Sequence, residues 1–192
     1  MKGWLMLISG ATFNITAVIT CHTGIFSGHC SGPSPALKHK LDTAVKRLYA
    51  YGSTLVAIHM RRGDYHGLGW GPFVIAPPEW YRKWLDGVWD KLYRPVLFIA
   101  SDSPGEVSGE FDDFRPLFGT DLGVDLSPAD FYPEFYVLTQ ADMLAISNST
   151  FSFVASMLNT TAKGFFRPDF TVPAILPFMP RDSEILPVWK PC

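Results

Sequence analysis

Apolar runs and amphipathic segments alternate along this chain from residue 34 onward, and that alternation limits the fold more than any other feature. The stretch "SGPSPALKHKLDTAVKRLYAYG" sets Ser34 before Pro35, carries Leu37, Leu41, Ala44, Val45 and Leu48 at helical spacing, and stops at Gly52, so it predicts a capped amphipathic helix. "TLVAIHM" follows as an apolar, partly β-branched strand. A Gly- and Pro-rich loop, "GLGWGPFVIAPP", leads into "PEWYRKWLDGVWDKL", where Trp80, Trp84, Leu85, Val88, Trp89 and Leu92 recur on a helical period. "PVLFIA" is the next strand. The order then repeats. "SDSPGEV" offers Ser103 as a cap, Pro104 at the first helical position and Glu106 three residues after the cap, a capping-box pattern that predicts a helix start. "FYPEFYVLTQA" reads as a helix, "DMLAI" as a short strand and "STFSFVASMLN" as a helix opened by Ser149 or Thr150. "GFFRPDF" supplies a further strand before a Pro-rich tail expected to be irregular. Strands that alternate with helices predict an α/β architecture: a parallel sheet with right-handed crossovers and helices on both faces.

With 192 residues, 47% hydrophobic and 18% charged, the chain has enough apolar material for one core. No repeat, charge block or low-complexity linker divides it, so residues 34–192 are expected to form one Rossmann-like domain behind an irregular N-terminal segment, 1–33. A formal charge of −2 and a pI near 6.2 carry no basic excess, which argues against nucleic acid as a partner. Any anion site must be local. Cys21, Cys30 and Cys192 are odd in number and lack CxxC spacing, so neither a disulfide framework nor a zinc ribbon is indicated. The apolar run "MKGWLMLISGATFNITAVIT" is diluted by Ser9, Gly10, Thr12, Asn14 and Thr16, and falls short of the roughly 20 apolar residues that span a bilayer. A cytoplasmic location is expected, with the secretory pathway as the alternative if that run acts as a signal. Only in that case do the sequons at Asn14, Asn148 and Asn159 matter.

Ligands of such sheets bind outside the carboxyl ends of the strands, and each strand here is followed by a polar cluster: "HMRRGDYH", "SDS" and "SNST". Arg61 and Arg62 are planar, permanently charged forks suited to diphosphate oxygens; the bland alternative is that one pairs with Asp64 and the other lies on the surface. "SNSTF" places hydroxyls and backbone N–H groups at a helix start, where they bind an anion or simply cap the helix. Asp102 and Asp142 are candidates for contacts to a nucleobase or ribose, or for turn caps. His59, at a strand end, reads as a hydrogen-bonded residue of the core margin; His66, among glycines, is the freer candidate for proton transfer. The Trp-rich helix reads as core packing. Arg62–Asp64 also spells an adhesion tripeptide, which is little on its own. There is no P-loop, no G-x-G-x-x-G, no Asp-x-Asp pair and no His/Cys ligand spacing, so no metal site is indicated.

"HMRRGDY", "FIASDSP" and "DMLAISNSTFSFVASMLN", in that order and each behind an apolar strand, resemble the motifs of the fucosyltransferase superfamily that includes α1,2-, α1,6- and protein O-fucosyltransferases. The resemblance covers about residues 55 to 168. It implies the C-terminal, Rossmann-like half of a GT-B fold. It also implies inverting, metal-independent transfer from GDP-fucose as donor substrate, with no other cofactor and with a glycan or hydroxyl acceptor. Carried over by position, Arg61 becomes the leading diphosphate ligand and Arg62 its neighbour. His59 shapes the same loop, while Ser149, Thr150 and Phe151 line the nucleotide pocket with Asp102 and Asp142 beside it. For the proton acceptor the loop after Arg62 offers Asp64 and His66, of which His66, among glycines that let an acceptor approach, is the leading candidate. The Gly-rich opening of a GT-B N-terminal half is not recognisable in the first 54 residues, so an acceptor-binding domain outside this chain is the expected partner.

Overall fold

The computed structural model describes the backbone of residues 5–8 and 11–14, together with residues 33–68, 71 and 73–188. Two short strands, β1 (Leu5–Ile8) and β2 (Ala11–Asn14), pair antiparallel in a sheet of their own within the segment expected to be irregular. The three cysteines lie outside the described residues.

Helix α1 spans Pro35–Tyr51. Pro35 occupies the first turn, where its missing N–H costs nothing, and Ser34 Oγ accepts from Leu37 N at 3.4 Å. Strands β3 (Thr54–Met60) and β4 (Pro95–Ser101) run parallel in register, joined through helix α2 (Pro78–Val88). Helix α3 (Tyr132–Leu138), strand β5 (Met143–Ala145), helix α4 (Thr150–Leu158) and strand β6 (Gly164–Asp169) follow, with β5 parallel to β3 and β6 parallel to β5. With β7 (Ala174–Pro177) at one edge, the sheet order is β4-β3-β5-β6-β7.

Burial on both faces is written along the strands. Leu55 and Ala57 of β3, with Val96, Phe98 and Ala100 of β4, pack into one cluster with α1, α3 and α4. The alternate residues Val56, Ile58, Met60, Leu97 and Ile99 pack into a second cluster with Tyr81, Trp84 and Leu85 of α2. Continuous apolar strands are what a sheet covered on both faces needs. The Trp-rich helix is core packing: the Trp84 ring lies tilted 4.9 Å from Phe166, and Trp80 lies 5.3 Å from Phe170.

Two expectations are corrected. The tail after β6 is not wholly irregular: β7 (Ala174–Pro177) pairs antiparallel with β6. Its prolines disguise it, but an edge strand tolerates residues that cannot donate to a neighbour. Ser103 does not open a capped helix either. Only short 3₁₀ turns form, at Pro104–Glu106 and Ser108–Phe114, and the Ser103 side chain makes no cap. Gly105 and Gly109 weaken helix formation there, and the Glu106 carboxylate that would complete the capping box is drawn across to Arg62 and His66.

Candidate functional site

The chain leaves β3 toward β4 on one side and returns to β5 on the other, with α2 covering one face and α3 and α4 the opposite face. Two crossovers of one hand that depart in opposite directions lie on opposite faces, which makes the carboxyl ends of β3 and β5 the topological switch point where folds of this kind bind ligands. A hydrogen bond joins these two strand ends. His59 Nδ1 and Ser147 Oγ, from the ends of the two strands, lie 2.8 Å apart. The His59 ring is 4% exposed and sits 5.1 Å from Phe151. Burial, reinforced by the charge of Arg61, pushes its imidazole down to about 3, so it stays neutral at pH 7 and acts as a wall of the site.

Beyond Met60 the chain turns through Gly63–Tyr65, and this turn brings the charges together. Arg61 donates from Nε and Nη2 to the two oxygens of Asp64, both at 2.8 Å, and its Nε lies 3.3 Å from Asp102 Oδ2. The Asp64 pairing foreseen as the bland alternative for one arginine is therefore present. Arg62 is not on the surface, however. Its backbone N–H donates to Asp102 Oδ1 at 2.9 Å, its Nε to Glu106 Oε2 at 3.0 Å, and its Nη1 is buried without a hydrogen-bond partner among the described residues. A buried guanidinium nitrogen left unsatisfied is uncommon and invites an acceptor. Gly63 is needed here because a Cβ would come within 2.8 Å of Asp102 Oδ2. Tyr65 completes the turn: its ring lies beneath Arg61 at 5.9 Å, and its hydroxyl donates to Asn148 O at 3.2 Å.

That last bond ties the arginine turn to the loop between β5 and α4. Ser149 caps α4, its Oγ accepting from Phe151 N at 3.3 Å, and Thr150 opens the helix. Ser149 is buried, so capping is its observed work; Phe151 packs among His59, Phe131 and Phe135. Asn148 is also buried, and its Oδ1 receives Arg167 Nη2 at 3.4 Å.

The proton-transfer candidates separate clearly. Asp64 is occupied by Arg61. His66, 52% exposed, sets Nε2 2.9 Å from Glu106 Oε2. A carboxylate on one ring nitrogen favours the tautomer whose other nitrogen accepts a proton. Glu106 is held below the usual carboxylate range by Arg62 and then His66, so it remains an anion able to orient that ring.

Asp142 is not brought here. It precedes β5, so it stands at the amino end of the sheet, where Oδ2 accepts from Leu55 N at 2.8 Å and Tyr49 OH at 3.0 Å. A different carboxylate takes its place at the carboxyl end. Glu134, in the first turn of α3, is pushed up to about 7 by burial and by the charge of Asp102, and Gly119 leaves room for its carboxyl group, which a Cβ there would strike. The sequence reading passed over Glu134 because nothing in a helical "YPEFYVL" distinguishes it; its early position in a helix that faces the strand ends was the available signal.

Arg62 and Asp64 are both engaged inside the turn, so the adhesion tripeptide is not displayed as one. Two of the sequons are committed to the fold as well. Asn148 is buried, and Asn159 donates to Leu138 O and Ala141 O while accepting from Thr161 N and Ala162 N. Among the described residues no group of three or more His, Cys, Asp or Glu side chains is placed to hold a metal ion, and no helix is long and apolar enough to cross a membrane. No protein-family model matches the chain, and no curated protein matches it significantly.

Proposed function

We propose that this domain binds a guanine nucleotide sugar at the carboxyl ends of β3, β4 and β5 and acts as a fucosyltransferase-like glycosyltransferase. GDP-fucose is the donor, and transfer is inverting and metal-independent. The observation that carries the reading is the half-buried Arg61–Arg62 pair at the switch point, with the buried Arg62 Nη1 unsatisfied among the described residues beside Asp102 and Glu106. A diphosphate supplies the acceptor that nitrogen lacks. It also competes with Asp64 for the Arg61 fork. Guanine presents adjacent N–H donors, which the Glu134 carboxylate accepts once ionised. As the glycosidic bond breaks, electrons pass to the β-phosphate oxygen, and the arginines stabilise that charge. The acceptor hydroxyl attacks the anomeric carbon from the opposite face and gives its proton to the His66 nitrogen that does not face Glu106.

A ligand-free role is the second reading, favoured by the two-point Arg61–Asp64 bond, which already neutralises that fork. A thermal-shift panel of nucleotide sugars separates the two. A donor at 100 times its dissociation constant stabilises by about 2.7 kcal/mol, so GDP-fucose should raise Tm while UDP- and CMP-sugars should not. No shift with any guanine nucleotide leaves the ion-pair network as a purely structural knot. Donor hydrolysis or transfer by the same chain then separates an enzyme from a binding module.

A further inference from the structure

The charges of the arginine turn nearly cancel. Arg61 faces Asp64 and Asp102, and Arg62 faces Glu106, so two guanidinium groups meet three carboxylates. Such a turn has shape for an anion but little net attraction. Arg167 is different. It projects from the far end of β6, is 9% exposed, and lies over the Phe178 ring at 5.2 Å. Its Nη1 donates to the Glu184 backbone oxygen at 2.8 Å and its Nη2 to Asn148 Oδ1 at 3.4 Å, and it forms no ion pair with a carboxylate among the described residues. Asp169 Oδ1 is committed to Thr171 and Val172 in the next turn, and Glu184 meets Arg167 through its backbone. Ala145 pairs with Phe166, so Arg167 stands one residue past the end of β5 on the face that carries α4, the face Phe165 also packs into. Its partner Asn148 immediately precedes the Ser149 cap, which brings the cation to the positive end of α4.

The carboxylates of Glu184 and Asp169 attract Arg167 only from beyond salt-bridge distance, and burial outweighs them; a guanidinium buried without a contact ion pair is costly, and so is placing it at a helix N-terminus. An anion at the switch point reverses both terms at once. We infer that Arg167 supplies the net positive charge of the diphosphate site. It is a positioning residue that holds the β5–α4 loop through Asn148 and attracts the phosphates by its field, while Arg61 and Arg62 make the contacts. This rests on the guanine-nucleotide reading above.

GDP and guanosine share a base and a ribose, so their affinity ratio isolates the phosphates. Titration of both into the wild type, Arg167→Met, Arg167→Lys and Asn148→Asp is the test. Arg167→Met should shrink the GDP-to-guanosine ratio at least about fivefold, whereas Arg167→Lys should keep most of it while lowering Tm, because the charge survives and the fork does not. Asn148→Asp nearly conserves shape but gives Arg167 a counter-ion, and should shrink the ratio like Arg167→Met, which keeps the test open if that variant folds poorly. Proportional loss of GDP and guanosine in Arg167→Met, or an unchanged ratio in Asn148→Asp, overturns the inference while leaving wild-type GDP binding intact. Absence of GDP binding by the wild type overturns the donor reading and this inference with it.

Discussion

Asp102 and Asp142 carry the same side chain at opposite ends of one sheet, and their surroundings show how a fold divides labour. At the amino end, the hydrogen bonds of Asp142 close on the fold itself, to the Leu55 N–H and the Tyr49 hydroxyl, and nearby Thr54 donates to Tyr93 O. At the carboxyl end, Asp102 organises the Arg62 backbone and shares Arg61, yet beside it, among the described residues, a guanidinium nitrogen is unsatisfied, the Glu134 carboxyl is pushed up to about 7 by burial, and Arg167 makes no salt bridge while burial outweighs the pull of Glu184 and Asp169. Satisfied polar groups stabilise; groups held short of satisfaction are where a ligand gains its binding energy.

The comparison can be broken by mutation and by pH. The largest effect expected is the acid sensitivity of His59. Its folded pKa lies far below the unfolded value of 6.5, so its contribution to stability is present above 6.5 and is lost as pH falls toward 3, with a loss on the order of 3 kcal/mol by about pH 4. Chemical denaturation from pH 7 to 4 should show that loss, and His59→Asn should flatten it. Next, Asp142→Ala strands the Leu55 N–H and should cost about 2–3 kcal/mol of stability, with GDP affinity unchanged at temperatures where the variant is folded. A change in nucleotide affinity there would erase the distinction between the two ends. Glu134 has the opposite sign to His59: its raised pKa stabilises below 4.5, and that contribution is lost as pH rises through about 7. Glu134→Gln should therefore gain on the order of 1 kcal/mol at pH 8 relative to pH 5, while losing GDP affinity at pH 8, where the wild-type carboxylate is ionised. The smallest effect sought is Thr150→Val, which should weaken GDP several-fold with Tm nearly constant; a fall in Tm alone would make Thr150 part of the cap.

How much of this was legible in the sequence follows the same divide. Period and punctuation located α1, β3, α2, β4, α3, β5, α4 and β6, since each buries a face that composition reveals. Arg61, Arg62, Asp102, Ser149 and Thr150 follow or end their strands and fell at the carboxyl ends as the alternation required. Asp142 was misplaced although the order of residues already placed it: it comes before its strand, and in a parallel sheet that is the far end. Strand β7 was hidden by Pro173 and Pro177, whose effect depends on whether a neighbour needs their missing N–H. Glu106 was read through a local capping rule, and a contact about forty residues away in sequence prevailed. Arg167 and Glu134 owe their importance to burial in the folded chain, which their immediate sequence does not display.

The reading stands most directly on Arg61, which is bound on two points by Asp64 yet assigned to a phosphate. Calorimetric titration of GDP into the wild type and Arg61→Ala, both shown to be folded, measures that assignment. Loss of about 2 kcal/mol, roughly thirtyfold, with Arg61→Lys recovering only part of it, is the predicted result. Equal GDP affinity in wild type and Arg61→Ala would contradict it and return the arginine pair to a structural role.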